Sequence, residues 1–108
     1  MYDKYLMLFH FLDYCYDKSS DLDLGAFLGE LSPYTFHDRM PMNCSVYEEW
    51  YSQSIDLNSD ELLIQGIILL LTQYETIYHY DFKETKKILK ELTQKEVTQI
   101  MEKIKKNN

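Results

Sequence analysis

The sequence predicts an all-α protein: one domain over residues 1–108, built as a single compact bundle of five or six helices. Apolar residues recur every three or four positions along most of the chain, and no stretch alternates with the period of two that strands require. Only 3 of the 108 residues are glycine and 2 are proline, which leaves little material for hairpins or long loops. The 45% hydrophobic composition is that of a folded chain rather than a disordered one.

The first predicted helix runs from about Tyr2 to Asp17. Its core stripe consists of Tyr5, Leu8, Phe9, Leu12 and Tyr16. Further apolar residues lie off that stripe, namely Met7, Phe11 and Tyr14. A helix that is apolar over more than half its circumference is either central in the fold or meets a partner with its second face, and we favour the central position.

The second predicted helix begins at Ser20 and ends before Pro33, because the residue before a proline disfavours helical backbone. Ser20 is suited to cap it, with the acidic residues Asp21 and Asp23 in the first turn, where they complement the helix dipole.

Gly25 and Gly29 are four residues apart on one face of this helix. The missing side chains would let another helix approach closely.

A loop from Pro33 to Asn43 separates the second helix from the third. Its apolar side chains either fold down onto the core or form a binding surface. Ser45 and Glu48 have the spacing of a capping box, so we expect the third helix to begin there and to bury Trp50.

The predicted centre of the bundle is the apolar helix over residues 60–79, which starts after Ser59 and is hydrophobic nearly all round. Two shorter helices follow it. The second of them begins with a capping box, Thr93 to Glu96. We expect residues 105–108 to fray at the terminus.

Catalytic and metal-binding patterns are missing from the sequence. His10, His37 and His79 do not have metal-ligand spacing, and no nucleophile can be assigned to the His37-Asp38 pair. We therefore expect no enzyme activity, no metal and no cofactor. The N-terminus lacks a signal-peptide cleavage pattern and the apolar stretch Leu62–Leu71 is too short to span a membrane, so we expect a cytoplasmic protein with Cys15 and Cys44 as free thiols.

Charge is distributed unevenly along the chain. Residues 1–61 carry twelve Asp and Glu against three Lys and Arg, a net charge of −9, whereas residues 62–108 carry six against eight, a net charge of +2. A field of this sign repels nucleic acid and anionic membranes and attracts a basic protein. Ordinary solubility charge, with acids placed at helix starts, is the alternative explanation.

The sequence offers a set of candidate partner-binding residues in its acidic half. Ten tyrosines are many for this length, and tyrosine is a frequent anchor at interfaces, although it also fills small cores. The candidates are Asp21, Asp23, Tyr34, Asp38, Tyr47, Glu48 and Glu49. We expect the lysine face of the fifth helix, Lys83, Lys86, Lys87 and Lys90, to take no part.

Two stretches resemble small bacterial immunity proteins of contact-dependent growth inhibition systems, over about residues 5–90. The first reads Ser20-Asp21-x-Asp23-Leu24-Gly25-x-Phe27-Leu28-Gly29-x-Leu31-Ser32-Pro33. The second reads Asp38-x-x-Pro41-x-Asn43-x-x-x-Tyr47-Glu48-x-Trp50. Arg39 stands where that family tends to have glycine, and Asn43-Cys44 stands where it tends to have Asp-Pro. These residues are typical of a shared fold and do not identify a particular toxin.

The resemblance implies a protein that binds a cognate toxin domain and blocks its active site or an essential surface. Acidic members of such families commonly face basic nucleases. The alternative is a helical adaptor or regulator of a housekeeping partner. One form of this alternative is a homodimer.

Overall fold

The computed structural model describes residues 3–36, 38 and 40–106. These residues form six helices: α1 (Lys4–Tyr16), α2 (Leu22–Leu31), α3 (Cys44–Ser54), α4 (Asp60–Tyr78), α5 (Lys83–Lys90) and α6 (Gln94–Lys106). The described residues contain no strand, and the radius of gyration is 12.8 Å. The predicted all-α bundle is therefore confirmed.

Some predicted features fall on residues that the structure does not describe. They are Tyr2 at the start of the first helix, His37, Arg39, and Asn107 and Asn108 at the predicted frayed end. Lys105 and Lys106, which we also expected to fray, belong to α6.

The helix at the centre of the bundle is α1. It packs against α2, α3, α5 and α6, and Leu8, Phe11 and Leu12 on it are completely buried. Met7 is buried as well, so the second apolar face of α1 faces the core and is not left for a partner. The first of the two possibilities raised by its sequence is confirmed.

The helix over residues 60–79 exists as predicted, but its place in the bundle differs from the prediction. The main packing partners of α4 are α3 and α5, and Leu62, Leu69 and Ile77 on its outer face are 44%, 54% and 63% exposed. The shorter α1 is apolar on both sides and becomes the enclosed helix, and none of the other described helices covers the outer face of α4.

Local capping signals predicted some helix starts correctly and others incorrectly. Ser59 accepts a hydrogen bond from the Leu62 backbone N at 3.2 Å, and the Thr93–Glu96 capping box forms in both directions, at 3.2 and 3.0 Å. The prediction of a Ser45–Glu48 capping box is wrong, because the Asn43 side chain caps α3 by accepting a hydrogen bond from the Val46 backbone N. Glu48 is left exposed to solvent.

The start of α2 also differs from the prediction. The helix begins at Leu22, and Asp21 rather than Ser20 occupies the cap position. The Asp21 side chain makes no capping bond to its own helix. Its carboxylate is therefore available to another element of the fold.

Close packing at glycine occurs mainly at a position that the sequence did not single out. A methyl group added at Gly29 would meet no atom within 4 Å, so the prediction that another helix approaches closely at Gly29 is wrong. At Gly25 it would lie 3.0 Å from the Tyr16 ring, which is close contact with the last residue of α1. At Gly66 it would lie 2.4 Å from Leu57 Cδ1, and the nearby Trp50 is buried as predicted.

Candidate functional site

An aromatic groove of about 290 Å³ lies between the start of α1 and the length of α3. It is lined by Asp3, Lys4, Tyr5, Tyr47, Trp50, Tyr51, Ser54 and Ile55. Tyr5 and Trp50 are buried, whereas Tyr51 and Ile55 are 67% and 63% exposed. Large apolar side chains that are open to solvent beside a concave aromatic surface are typical of protein-binding sites.

Three contacts fix the walls of this groove. Trp50 Nε1 donates to the Lys4 carbonyl oxygen at 2.8 Å, which joins α3 to the first turn of α1. The Tyr5 hydroxyl donates to the Leu31 carbonyl oxygen at 2.6 Å, and its ring lies 4.9 Å from the Tyr47 ring. The groove is therefore preformed, which lowers the entropic cost of binding.

Lys4 lies at the end of the groove that adjoins the C-terminal end of α3. Its ammonium group donates to the carbonyl oxygens of Ser54 and Ile55 at 2.7 and 3.1 Å, at the C-terminal end of α3. A cation at this position satisfies free carbonyl groups and complements the helix dipole. The positive charge of Lys4 is thus used within the fold.

Tyr34 and Tyr47, two of the predicted anchors, lie on the same side of α1. The Tyr34 hydroxyl is 2.8 Å from His10 Nε2, and its ring is 5.8 Å from the ring of Phe9, one helical turn beyond Tyr5. Tyr34 remains 44% exposed and Tyr47 is half-buried. Each tyrosine contacts α1 with one side of its ring and is partly exposed to solvent on the other side.

The predicted acidic residues do not form one continuous surface. Asp21 accepts hydrogen bonds from Thr85, and Asp23 accepts one from the Asp81 backbone N at 2.8 Å, so both connect α2 to the start of α5. These residues follow the C-terminal end of α1, whereas Tyr47 lies beside its N-terminal end. The prediction that Asp21 shares a surface with Tyr47 and Glu48 gains no support from these positions.

Glu48, Asp38 and Glu49 differ in their surroundings. Glu48 is exposed on the outer ridge of α3, one turn before Tyr51, and Asp38 is exposed in the loop, where it accepts a hydrogen bond from the Met40 backbone N. Glu49 lies on the other flank of α3 and accepts a hydrogen bond from the Tyr74 hydroxyl at 3.2 Å.

Beyond Glu49 the structure shows an aromatic layer that our sequence analysis did not identify. Tyr74, Tyr78 and Tyr80 form a chain of contacting rings above Phe27 and Phe82. We call it the tyrosine cluster. The spacing of these tyrosines around the end of α4, four and then two residues apart, was visible in the sequence, but the contact with Phe27 of α2 was not.

The cluster and the groove flank the outer ridge of α3, and we call the whole region the α3 surface. Among the described residues the only ion pairs are Lys86 with Glu75 and Lys103 with Asp13. Neither pair involves a carboxylate of α3. Glu48 and Glu49 therefore form no ion pair within the described part of the chain, and they impose a negative potential beside exposed aromatic rings.

The described residues offer no site for a metal ion, since no three His, Cys, Asp or Glu side chains among them are placed to hold one. Cys15 is buried, Cys44 is exposed, and both are free thiols. None of the described helices combines the length and apolar character needed to cross a bilayer.

Comparison with known proteins finds no matching family model, no matching curated protein and no matching solved structure.

Proposed function

We propose that this chain is a cytoplasmic immunity-type protein that neutralises a basic toxin domain by stoichiometric binding, without catalysis of its own. The observation that supports this most is the α3 surface, where exposed Tyr51 and Ile55 adjoin the carboxylate of Glu48, which forms no ion pair with any described residue. Exposed apolar anchors supply affinity, and uncompensated carboxylates supply attraction to a basic partner.

The proposed mode of action is steric. The groove receives a side chain of the toxin between Tyr47 and Tyr51, while the ridge at Glu48 meets basic residues around it. Because the groove walls are held by Trp50 and Tyr5, binding requires little rearrangement of this chain. The resemblance of residues 5–90 to immunity proteins supports the same function.

Co-expression in bacteria tests this proposal. The protein is produced together with the toxin domain encoded next to its gene, and growth is compared with that of cells expressing the toxin alone. We expect growth to be restored, and we expect Tyr51→Asp to abolish protection. Lys90→Glu on α5 is the matched control and should protect fully. A neighbouring gene that encodes no toxin, or a lack of protection by the wild-type protein, would contradict the proposal.

The alternative is an adaptor that acts as a homodimer, and one feature favours it. The outer face of α4 exposes Leu62, Leu69 and Ile77, and residues 62–74 carry no charged side chain. Two copies of a chain with net charge −7 repel each other least at an uncharged face. Light scattering during size-exclusion chromatography distinguishes the two proposed functions. A dimer that dissociates when Leu69→Glu is introduced supports the homodimeric adaptor.

A further inference from the structure

The tyrosine cluster is a layer that is anchored in the core and open at its outer edge. Phe27 is completely buried, and its ring centroid lies 5.2 Å from that of Tyr74 and 5.9 Å from that of Tyr80. Tyr78 lies 5.1 Å from Tyr74 and 6.2 Å from Tyr80, and it is 56% exposed. Ring faces that are held this firmly are available to a partner at little entropic cost.

Carboxylates from two other helices lie near these rings. Glu49 of α3 accepts the hydrogen bond of the Tyr74 hydroxyl, and Asp23 and Glu30 lie two turns apart on the side of α2 that also carries Phe27. Burial raises the pKa of Tyr74, and the charge of Glu49 adds to that effect. Burial likewise raises the pKa of Tyr80, followed by the charges of Glu30 and Asp23. The rings therefore lie in a negative local field.

The chemistry of this surface selects its occupant. An aromatic face carries a negative quadrupole, so rings and carboxylates attract the same kind of group, a cation. An anionic ligand such as nucleic acid would be repelled. An uncharged apolar group would stack on Tyr78 but would leave the carboxylates without a partner. No ion pair among the described residues already involves Asp23, Glu30 or Glu49.

We infer that the tyrosine cluster binds an arginine side chain from a basic segment of a protein partner, with the guanidinium stacked on Tyr78 and paired with Glu30. Arginine fits better than lysine, because its planar, weakly hydrated head group stacks on a ring while it donates to a carboxylate. The inference rests on the proposed function for its partner and extends it to a second contact on the far flank of α3.

The test uses a blocked peptide, acetyl-Gly-Arg-Gly-Arg-Gly-Arg-amide, added to the full-length protein and followed by amide NMR shifts. The control peptide has citrulline in place of arginine. We expect the arginine peptide to shift the signals of Phe27, Glu30, Tyr78 and Tyr80, with an affinity that falls as salt is added. Tyr78→Leu should weaken binding roughly two- to five-fold, the size of an exposed cation–π contact, whereas Tyr78→Phe keeps the ring and should bind like wild type.

Several results would overturn the inference: an equal affinity for the citrulline peptide, shifts that map elsewhere, no binding at millimolar peptide, or equal binding by the Leu and Phe variants. If Tyr78→Leu is unfolded, Glu30→Gln replaces it and should also weaken binding. Protection from the toxin without peptide binding would remove this inference alone. Peptide binding at the cluster without protection would contradict the proposed function and leave the cation site in place.

Discussion

Asp21 Oδ2 accepts two hydrogen bonds from Thr85, one from the backbone N at 2.8 Å and one from Oγ1 at 2.9 Å. Thr85 lies in the first turn of α5, a helix whose cap residue, Phe82, offers no side-chain acceptor. Asp21 therefore caps α5 from the residue that precedes α2, and it places a negative charge at the positive end of the α5 dipole. A residue that we expected to bind a partner stabilises the fold.

Replacing Asp21 tests this structural role. Asp21→Ala removes the acceptor from the completely buried Thr85 and should lower the free energy of unfolding by about 1–3 kcal/mol. Asp38→Ala, in the exposed loop, is the matched control and should stay within about 0.5 kcal/mol of wild type. Urea denaturation measures both variants. Equal stability of the two would show that the contact with Thr85 contributes nothing.

His10 should make the stability depend on pH. Burial lowers the pKa of His10, against a smaller opposing effect of Asp13, and Nδ1 is buried without a hydrogen-bond partner. The unfolded chain takes up the proton near pH 6.5, whereas the folded chain takes it up only at lower pH. The stabilisation by neutral His10 is therefore complete above that pH and is lost as the pH falls through it towards the folded-state pKa.

The comparison variant is His10→Gln, which can keep a hydrogen bond to the Tyr34 hydroxyl but does not titrate. Between about pH 7.5 and about pH 5.5, wild type should lose more unfolding free energy than the variant. NMR titration of the His10 ring gives its folded-state pKa directly. A folded-state pKa at or above 6.5, together with parallel pH profiles, would refute this prediction.

Two glycines should respond differently to the same substitution. Gly29→Ala adds a methyl group into open space within α2 and should raise the free energy of unfolding by about 0.5–1 kcal/mol through helix propensity. Gly66→Ala brings the same propensity gain to α4, but the Leu57 side chain must rotate away from the new methyl group. The free energy of unfolding should therefore rise less for Gly66→Ala than for Gly29→Ala. Thermal unfolding of both variants measures this difference, and a larger stabilisation by Gly66→Ala would contradict the packing of Leu57 against Gly66.

Charge on the ridge of α3 should act mainly on the rate of association with a basic toxin. Glu48→Lys removes an exposed carboxylate that has no capping role, so the melting temperature should hardly change while the association rate falls and its salt dependence flattens. Stopped-flow mixing measures the rate, and Lys87→Glu on α5 serves as control. A slowed reaction for Lys87→Glu and an unchanged one for Glu48→Lys would place the interface on the opposite side.

Much of the fold could be predicted because its signals are local. Helical periodicity and the contacts of Ser59 and Thr93 act over three or four residues, and each is confirmed. The centre of the bundle was placed in the wrong helix, because hydrophobicity along one segment does not say which neighbours cover it. The packing of α2, α3, α5 and α6 around α1 is a property of the whole chain.

The candidate site was less predictable for the same reason. Asp21 and Thr85 are 64 residues apart, and Glu49 and Tyr74 are 25 apart, so no local pattern shows that these carboxylates already have partners. The number of tyrosines and the acidity of the first half can be read directly from the sequence. Which of those side chains meet at one surface depends on the pairing of helices, and that pairing follows from packing.

The most direct test of the proposed binding surface is calorimetric titration of the neighbouring toxin domain into wild type and two variants. We expect a one-to-one complex with wild type. Tyr51→Ser, at the open edge of the groove, should weaken it at least about 30-fold, as expected for an aromatic anchor worth about 2 kcal/mol. Lys90→Glu should leave the affinity unchanged. Unchanged affinity for Tyr51→Ser, or no complex with wild type, would contradict binding of a basic toxin through the α3 surface.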